Sequence, residues 1–165
     1  MADINDLGIL ARRRIEAEII KPIYDILVRD FGREKAAEVI GEAVSNAAVQ
    51  AGRSFAERQG GQAGIRSFIA LQPLWEKDDA LTVQVHSSDE THYHYDVTRC
   101  RYAEMYRDMG LGDIGHLLSC NRDAGFIVGY APQVKLTRTT TIMQGAPRCD
   151  FRYDADAPAN GGETA

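Results

Sequence analysis

The hydrophobic period of this chain changes near residue 80, and no other feature narrows the possible folds as much. Ahead of that point apolar residues recur every three to four positions, the spacing of one helix face. Ile15, Ile19, Ile23, Ile26 and Leu27 form the first such row. Pro22 interrupts it and predicts a kink or a restart, and Phe31-Gly32 marks a stop. A second helix is predicted from about Arg33 to Gln59 on Ala36, Ala37, Ile40, Ala43, Val44, Ala47, Ala48, Ala51 and Phe55. So many small residues on one face imply a close helix–helix approach, within the chain or in a homodimer. After a glycine-rich turn at 60–64, a third helix is expected from Ile65 to about Trp75, ending near Pro73.

Past residue 80 the period drops to two. Leu81-Thr82-Val83-Gln84-Val85 and His92-Tyr93-His94-Tyr95-Asp96-Val97 alternate as the arms of a hairpin. Short helices are expected over Arg101–Arg107, Leu111–Leu118 and Asp123–Val128. A Thr- and Val-rich strand is expected from Val134 to Ile142, and a returning strand from Cys149 to Tyr153. Helices first, then a four-stranded antiparallel sheet with inserted short helices, is an α+β architecture. One domain over 1–153 and a frayed tail over 154–165 complete the expected organisation.

Composition excludes several classes. There is no run of about 20 apolar residues for a membrane span and no basic segment leading an apolar run for secretion. Nineteen Lys and Arg against 24 Asp and Glu give a net charge of −5, which argues against a nucleic-acid binder. The glycine turn lacks the Gly-Lys-Ser/Thr of a phosphate loop. The expected setting is a reducing cytoplasm, where the three cysteines stay free thiols.

Those thiols are Cys100, Cys120 and Cys149, with no Cys-x-x-Cys spacing among them. They read as small buried hydrophobes, as reactive thiols, or as a three-thiolate metal site assembled by folding. Cys120, Asn121, Arg122 and Asp123 pack a thiol, an amide, a guanidinium and a carboxylate together. If Cys120 opens a short helix, the dipole lowers its pKa; Asp123 then caps the helix, orients a base or positions water. On the 134–142 strand, Arg138 shares a face with Leu136, Thr140 and Ile142, and calls for a carboxylate: Asp123, Asp150 or a substrate. Thr137, Thr139 and Thr141 on the other face offer hydroxyls to a ligand or are β-formers facing water. His92, His94 and Asp96 share a strand face that could hold a metal or point to solvent, with Tyr93, Tyr95 and Val97 turned inward. His86 and His116 carry no pattern.

Asp96-Val97-Thr98-Arg99-Cys100-Arg101-Tyr102-Ala103-Glu104-Met105-Tyr106, Leu118 to Asp123, Leu136 to Met143 and the closing Gly145 to Tyr153 resemble the L-2-amino-thiazoline-4-carboxylic acid hydrolase family. The resemblance is close from about residue 93 to 153 and looser through the helical half. More distantly, the Gly145…Cys149-Asp150-Phe151 ending is similar to small-molecule-binding domains of the 4-vinyl-reductase type, some of which bind zinc. Here Arg138 and Thr141 stand about where that type has its Glu and middle Cys, which argues against a zinc site.

The resemblance implies hydrolytic opening of a carboxylate-bearing cyclic isothiourea to a carbamoyl-cysteine, without a cofactor. Cys120 would attack the ring carbon as thiolate, or Asp123 would activate water. Arg138 or Arg122 would clamp the substrate carboxylate. Asn121, Thr139, Cys149 and Cys100 would complete the substrate site. A non-catalytic ligand-binding or sensor domain, and a zinc protein using the three cysteines, are the alternative functions.

Overall fold

The computed structural model describes residues 6–156. It is an α+β fold in which helices cover one face of a four-stranded antiparallel sheet. Helix α1 spans Ile9–Phe31 and α2 spans Arg33–Arg58. Then come α3, Ile65–Leu71, and the single turn α4, Pro73–Glu76. Strands β1, Leu81–Ser88, and β2, His92–Cys100, form the hairpin. Helix α5, Arg101–Asp108, follows directly. A π-helical turn, His116–Cys120, runs into α6, Asn121–Tyr130. Strands β3, Val134–Thr137, and β4, Cys149–Ala155, close the sheet in the order β1-β2-β4-β3.

Several boundaries differ from the sequence expectation, each for a physical reason. Pro22 does not restart α1, which is assigned as one helix running through it; Ala17 and Tyr24, buried on either side of it, hold both halves to the core. Pro73 starts α4 at its first turn rather than ending α3, a position where its missing N–H costs nothing. The segments 111–118 and 123–128 do not form two separate helices, because the π turn joins α6 without a break in helical backbone. The strand expected to reach Ile142 stops at Thr137. Beyond it the backbone N–H groups of Thr139 and Thr140 donate to the Asp150 carboxylate, at 2.9 and 2.7 Å, instead of to a ladder. At the other end β4 runs two residues past the expected limit, to Ala155, whose N–H donates to Thr91 O. The remainder of the expected tail, 157–165, lies outside the described residues.

The larger correction concerns the two long helices. Ile15, Ile19, Ile23 and Ile26 of α1 lie in solvent; the buried face is Ile9, Ala17 and Tyr24, with Leu27 partly covered. The part of α2 around Ala48 and Gly52 packs inside the protomer against α6. A Cβ added at Gly52 would stand 2.2 Å from Phe126 O, and one added at Gly129 would stand 2.1 Å from Val49 O. Backbone touches backbone along this seam, so α6 takes up α2's small face around Gly52, while Ala43 and Ala47 stay exposed.

Two hydrophobic clusters result. One gathers α1, α2, α5 and the π turn around Tyr24, Tyr102, Tyr106 and Leu118. The other gathers α3, α6 and the sheet around Phe68, Phe126, Tyr95 and Tyr153. Trp75, Leu81 and Cys100 touch both. A cavity opens at that junction.

Candidate functional site

The sheet supplies the floor. Val97 pairs with Cys149, Tyr95 with Phe151 and Tyr93 with Tyr153. Alternation puts these residues on the helix-covered face, and all except Tyr93 line the cavity. Tyr95 and Phe151 stack at 4.8 Å between ring centroids. Helix α6 and the π turn contribute Ser119, Cys120, Arg122, Asp123 and Phe126. Ala48 and Ala51 of α2 also line the cavity, and the seam described above is what lets α6 approach them. Arg13 of α1, Trp75, Tyr102 and Met143 complete the wall. The free volume is about 70 Å³, several-fold above the roughly 10–15 Å³ that one water needs.

Six of the eight residues expected at a site line this cavity: Cys100, Cys120, Cys149, Arg122, Asp123 and Arg138. Two do not. Asn121 is exposed at the start of α6. Thr139 is exposed and its hydroxyl donates to Asp150 at 2.6 Å. These bonds, with those of Thr140, hold the Asp150 carboxyl well below the usual range against the opposing effect of burial. The threonine row is therefore a brace for the 138–141 segment.

Arg138 meets a carboxylate, and it is Asp123, at 2.5 Å. The same guanidinium donates to Cys120 O at 2.9 Å and lies 4.9 Å above the Phe151 ring. Burial pushes the Asp123 carboxyl up, with Arg138 opposing. Arg13, also in the lining, donates to both oxygens of Glu16, at 2.7 and 2.8 Å. Arg122 also donates to Glu16, at 2.8 Å, and to Leu118 O at 2.8 Å. Burial, reinforced by the nearby Arg13 charge, lowers the Arg122 pKa to about 10.

The thiols depart from the helix-dipole expectation. Cys120 does not open a helix: its turn is the last of the π segment and continues into α6, so no free helix end faces it. Burial dominates instead and, with the Asp123 charge, pushes the Cys120 thiol up to about 12. Burial likewise raises Cys100 to about 11. It raises Cys149 too, although the Ile142 N–H donates to its sulfur at 3.2 Å. All three are neutral thiols near pH 7. Among the described residues no group of three or more His, Cys, Asp or Glu side chains is placed to hold a metal ion.

The hairpin histidines lie outside the cavity. His94 contacts Asp154 at 2.6 Å. Asp96 does not share solvent with them: it is buried, accepts from Arg152 at 2.9 Å and pairs with His86 at 3.1 Å. His86 thus has a partner that its sequence context does not announce.

Sequence reasoning missed Arg13, Trp75 and Tyr102. Arg13 sits in an Arg12-Arg13-Arg14 run, and only the true buried face of α1, the one carrying Ala17 and Tyr24, selects the middle arginine. Tyr102 donates to Trp75 O at 3.0 Å, which fixes both against the cavity.

A family model described as L-2-amino-thiazoline-4-carboxylic acid hydrolase matches residues 12–153. No curated protein matches the chain. Among solved structures, the phenol-responsive sensory domain of the transcription activator PoxR, crystallised with phenol, is similar at 12% identity and a TM-score of 0.51, over 87% of this chain and 74% of that one. A trafficking protein particle complex subunit 3 from Naegleria fowleri, covalently bound to palmitic acid, is similar at 13% identity and a TM-score of 0.47, over 89% of this chain and 96% of that one. The PoxR likeness concerns the fold alone.

Proposed function

The chain belongs to the L-2-amino-thiazoline-4-carboxylic acid hydrolase family, and we propose that it hydrolyses a small five-membered cyclic amidine or isothiourea bearing a carboxylate, such as L-2-amino-thiazoline-4-carboxylate. The observation that carries the reading is a cavity lined by one carboxylate, Asp123, and by three guanidiniums, of which Arg138 is paired with Asp123 while Arg13 and Arg122 share Glu16.

The two sides suit two tasks. Arg13 and Arg122 share one carboxylate, Glu16, so this side keeps an excess positive charge for the substrate carboxylate. Asp123, raised by burial, is a stronger base than an ordinary aspartate. In the proposed reaction Asp123 takes a proton from water as the water oxygen bonds to the ring carbon between sulfur and nitrogen. The tetrahedral adduct collapses by breaking one ring bond at that carbon. The adduct's hydroxyl proton moves to the ring nitrogen as the carbonyl forms, the proton held by Asp123 passes to the departing ring heteroatom, and a carbamoyl-cysteine carrying both hydrogens of the water leaves. Arg138 fixes Asp123 and keeps it ionised. Cys120 as nucleophile is the competing route; it needs Asp123 to take the thiol proton first, because the thiol is neutral near pH 7.

A second reading, ligand binding without turnover, is favoured by the predominance of aromatic and aliphatic side chains in the cavity and by the fold shared with a phenol-responsive domain. Incubation with L-2-amino-thiazoline-4-carboxylate, followed by mass spectrometry, separates the two. The hydrolase reading expects a product heavier by one water that fails to form with Asp123→Asn. Saturable binding of substrate or phenol with no such product from any cyclic amidine, thiazoline or imide supports the second reading.

A further inference from the structure

Gln72 carries a buried amide to which the protein gives no partner. The residue stands at the junction of α3 and α4 and is 7% exposed. Its backbone is in use: its N–H donates to Ile69 O at 3.1 Å, and the N–H groups of Trp75 and Glu76 donate to its carbonyl at 2.9 and 3.2 Å. Its side chain does not cap α4, and among the described residues its amide has no hydrogen-bond partner. Burying an amide unpaired costs stability, so the fold itself has no use for glutamine here.

Gln72 also lines the cavity, with Phe68 four residues before it and Trp75 three after it on the same helical face. Among the described residues every side-chain N or O atom sealed from solvent has a partner, so an amide with none is not sealed. The free space it borders is the cavity. The rest of the wall indicates what the amide meets there. Guanidiniums are donors, and they answer an anion. Asp123 and Gln72 bring the only carboxyl and amide oxygens among the described lining residues. Asp123 is held by Arg138 at 2.5 Å and is assigned to the water. The Gln72 carbonyl oxygen is the strong acceptor left for a ligand N–H.

We propose that Gln72 Oε1 accepts a hydrogen bond from the exocyclic amino group of the substrate, and so selects 2-amino rings over rings that carry a methyl at that position. The inference rests on the substrate class proposed above and adds the group that reads it. Arg13 and Arg122 hold the carboxylate end of the ligand, and Gln72 holds the amino end.

Calorimetric titration of the full chain with two aromatic analogues that resist hydrolysis, 2-aminothiazole-4-carboxylate and 2-methylthiazole-4-carboxylate, tests this. They share the carboxylate and the ring, and differ in the amino group. The wild type is expected to bind the amino ring about tenfold more tightly. Gln72→Leu and Gln72→Met should each bring that ratio to within about twofold of one, while Arg13→Ala weakens both rings alike. Without ligand, both Gln72 variants should melt no lower than wild type, since no hydrogen bond within the protein is lost. An amino preference that survives both substitutions overturns the proposal. So does a wild type that treats the two rings alike, or a pair of Gln72 variants that melt well below it. Hydrolysis is a separate readout. An amino preference that follows Gln72 in a chain that opens no thiazoline keeps this inference and removes the hydrolase reading. Turnover of the thiazoline with no preference between the thiazoles keeps the hydrolase reading and removes this inference.

Discussion

Two carboxylates stand near the cavity, and their surroundings send them in different directions. Asp123 lines it, its side chain 22% exposed, with one guanidinium, Arg138, at 2.5 Å. Glu16 stands behind the lining, between two guanidiniums, Arg13 and Arg122, with its side chain still 37% exposed. The Asp123 side is balanced one charge to one, in surroundings that resist ionisation. The Glu16 side carries one cation too many. On the proposed reading the two carboxylates then serve different tasks, Asp123 as a base and Glu16 as the partner that holds Arg13 and Arg122 for a substrate anion.

Removing the base side should have the largest effect. Asp123→Asn is expected to lower kcat by about 10²–10⁴-fold while leaving KM within a few-fold, read by initial rates on the thiazoline carboxylate. In the wild type kcat/KM should fall as pH drops through the raised pKa of Asp123, at a midpoint above the usual aspartate range of about 3.9. If the asparagine variant turns over normally, Asp123 is a structural partner of Arg138 and the division of roles fails.

The thiols test the dryness of the same side. With Cys120 pushed up to about 12 from an ordinary 9.0, its thiolate fraction at pH 8 falls about a thousandfold. Alkylation by iodoacetamide, followed by peptide mass spectrometry, should be slower than for a free thiol by about that factor. The raised thiols also set a sign for stability. The unfolded thiols ionise near 9 and the folded ones near 11 to 12, so their contribution is complete below pH 9 and is lost as pH climbs through the folded values. Urea midpoints should drop across that window, and drop less in Cys100→Ala with Cys120→Ala. Rapid alkylation at pH 8 would mean the cavity is wetter than its lining.

The anchor side gives a smaller, differently shaped effect. Arg13→Ala should raise KM about 10–100-fold with kcat within a few-fold, the signature of binding energy that is the same in ground and transition states. A substrate analogue lacking the carboxylate should not distinguish the variant from wild type. A drop in kcat at unchanged KM would place Arg13 in the chemistry and merge the two sides.

How far the sequence carries this comparison depends on what each side is made of. The change of period near residue 80 announced helices followed by an antiparallel sheet, and alternation alone set Tyr93, Tyr95 and Val97 inward. Asp123 and Arg138 were legible because an arginine beside large apolar neighbours demands an acid. Arg13 was not, since its selection from three consecutive arginines depends on the rotation of α1. That rotation was misread: period counts apolar residues, and the isoleucine row outscored the Ile9, Ala17 and Tyr24 face that is buried. The Cys120 environment was misread because a helix start was assumed where a π turn runs on into α6. In both cases local pattern was sound and tertiary placement decided the outcome.

The smallest expected effect bears most directly on the reaction. Cys120→Ser keeps the side chain's shape and can still hydrogen-bond, but it removes the sulfur nucleophile. If Asp123 activates water, kcat should stay within about threefold of wild type, since the serine need only fill the wall. If Cys120 forms a covalent adduct, a serine held in the same dry setting is far harder to ionise, and kcat should fall by several powers of ten. The neutral state of the thiol near pH 7 and its place inside a continuous helix favour the first outcome. A dead serine variant that still folds and binds substrate would leave Asp123 a base, but one acting on sulfur. The catalytic side would then span Cys120 as well as Asp123, while the arginine side kept its role as anchor.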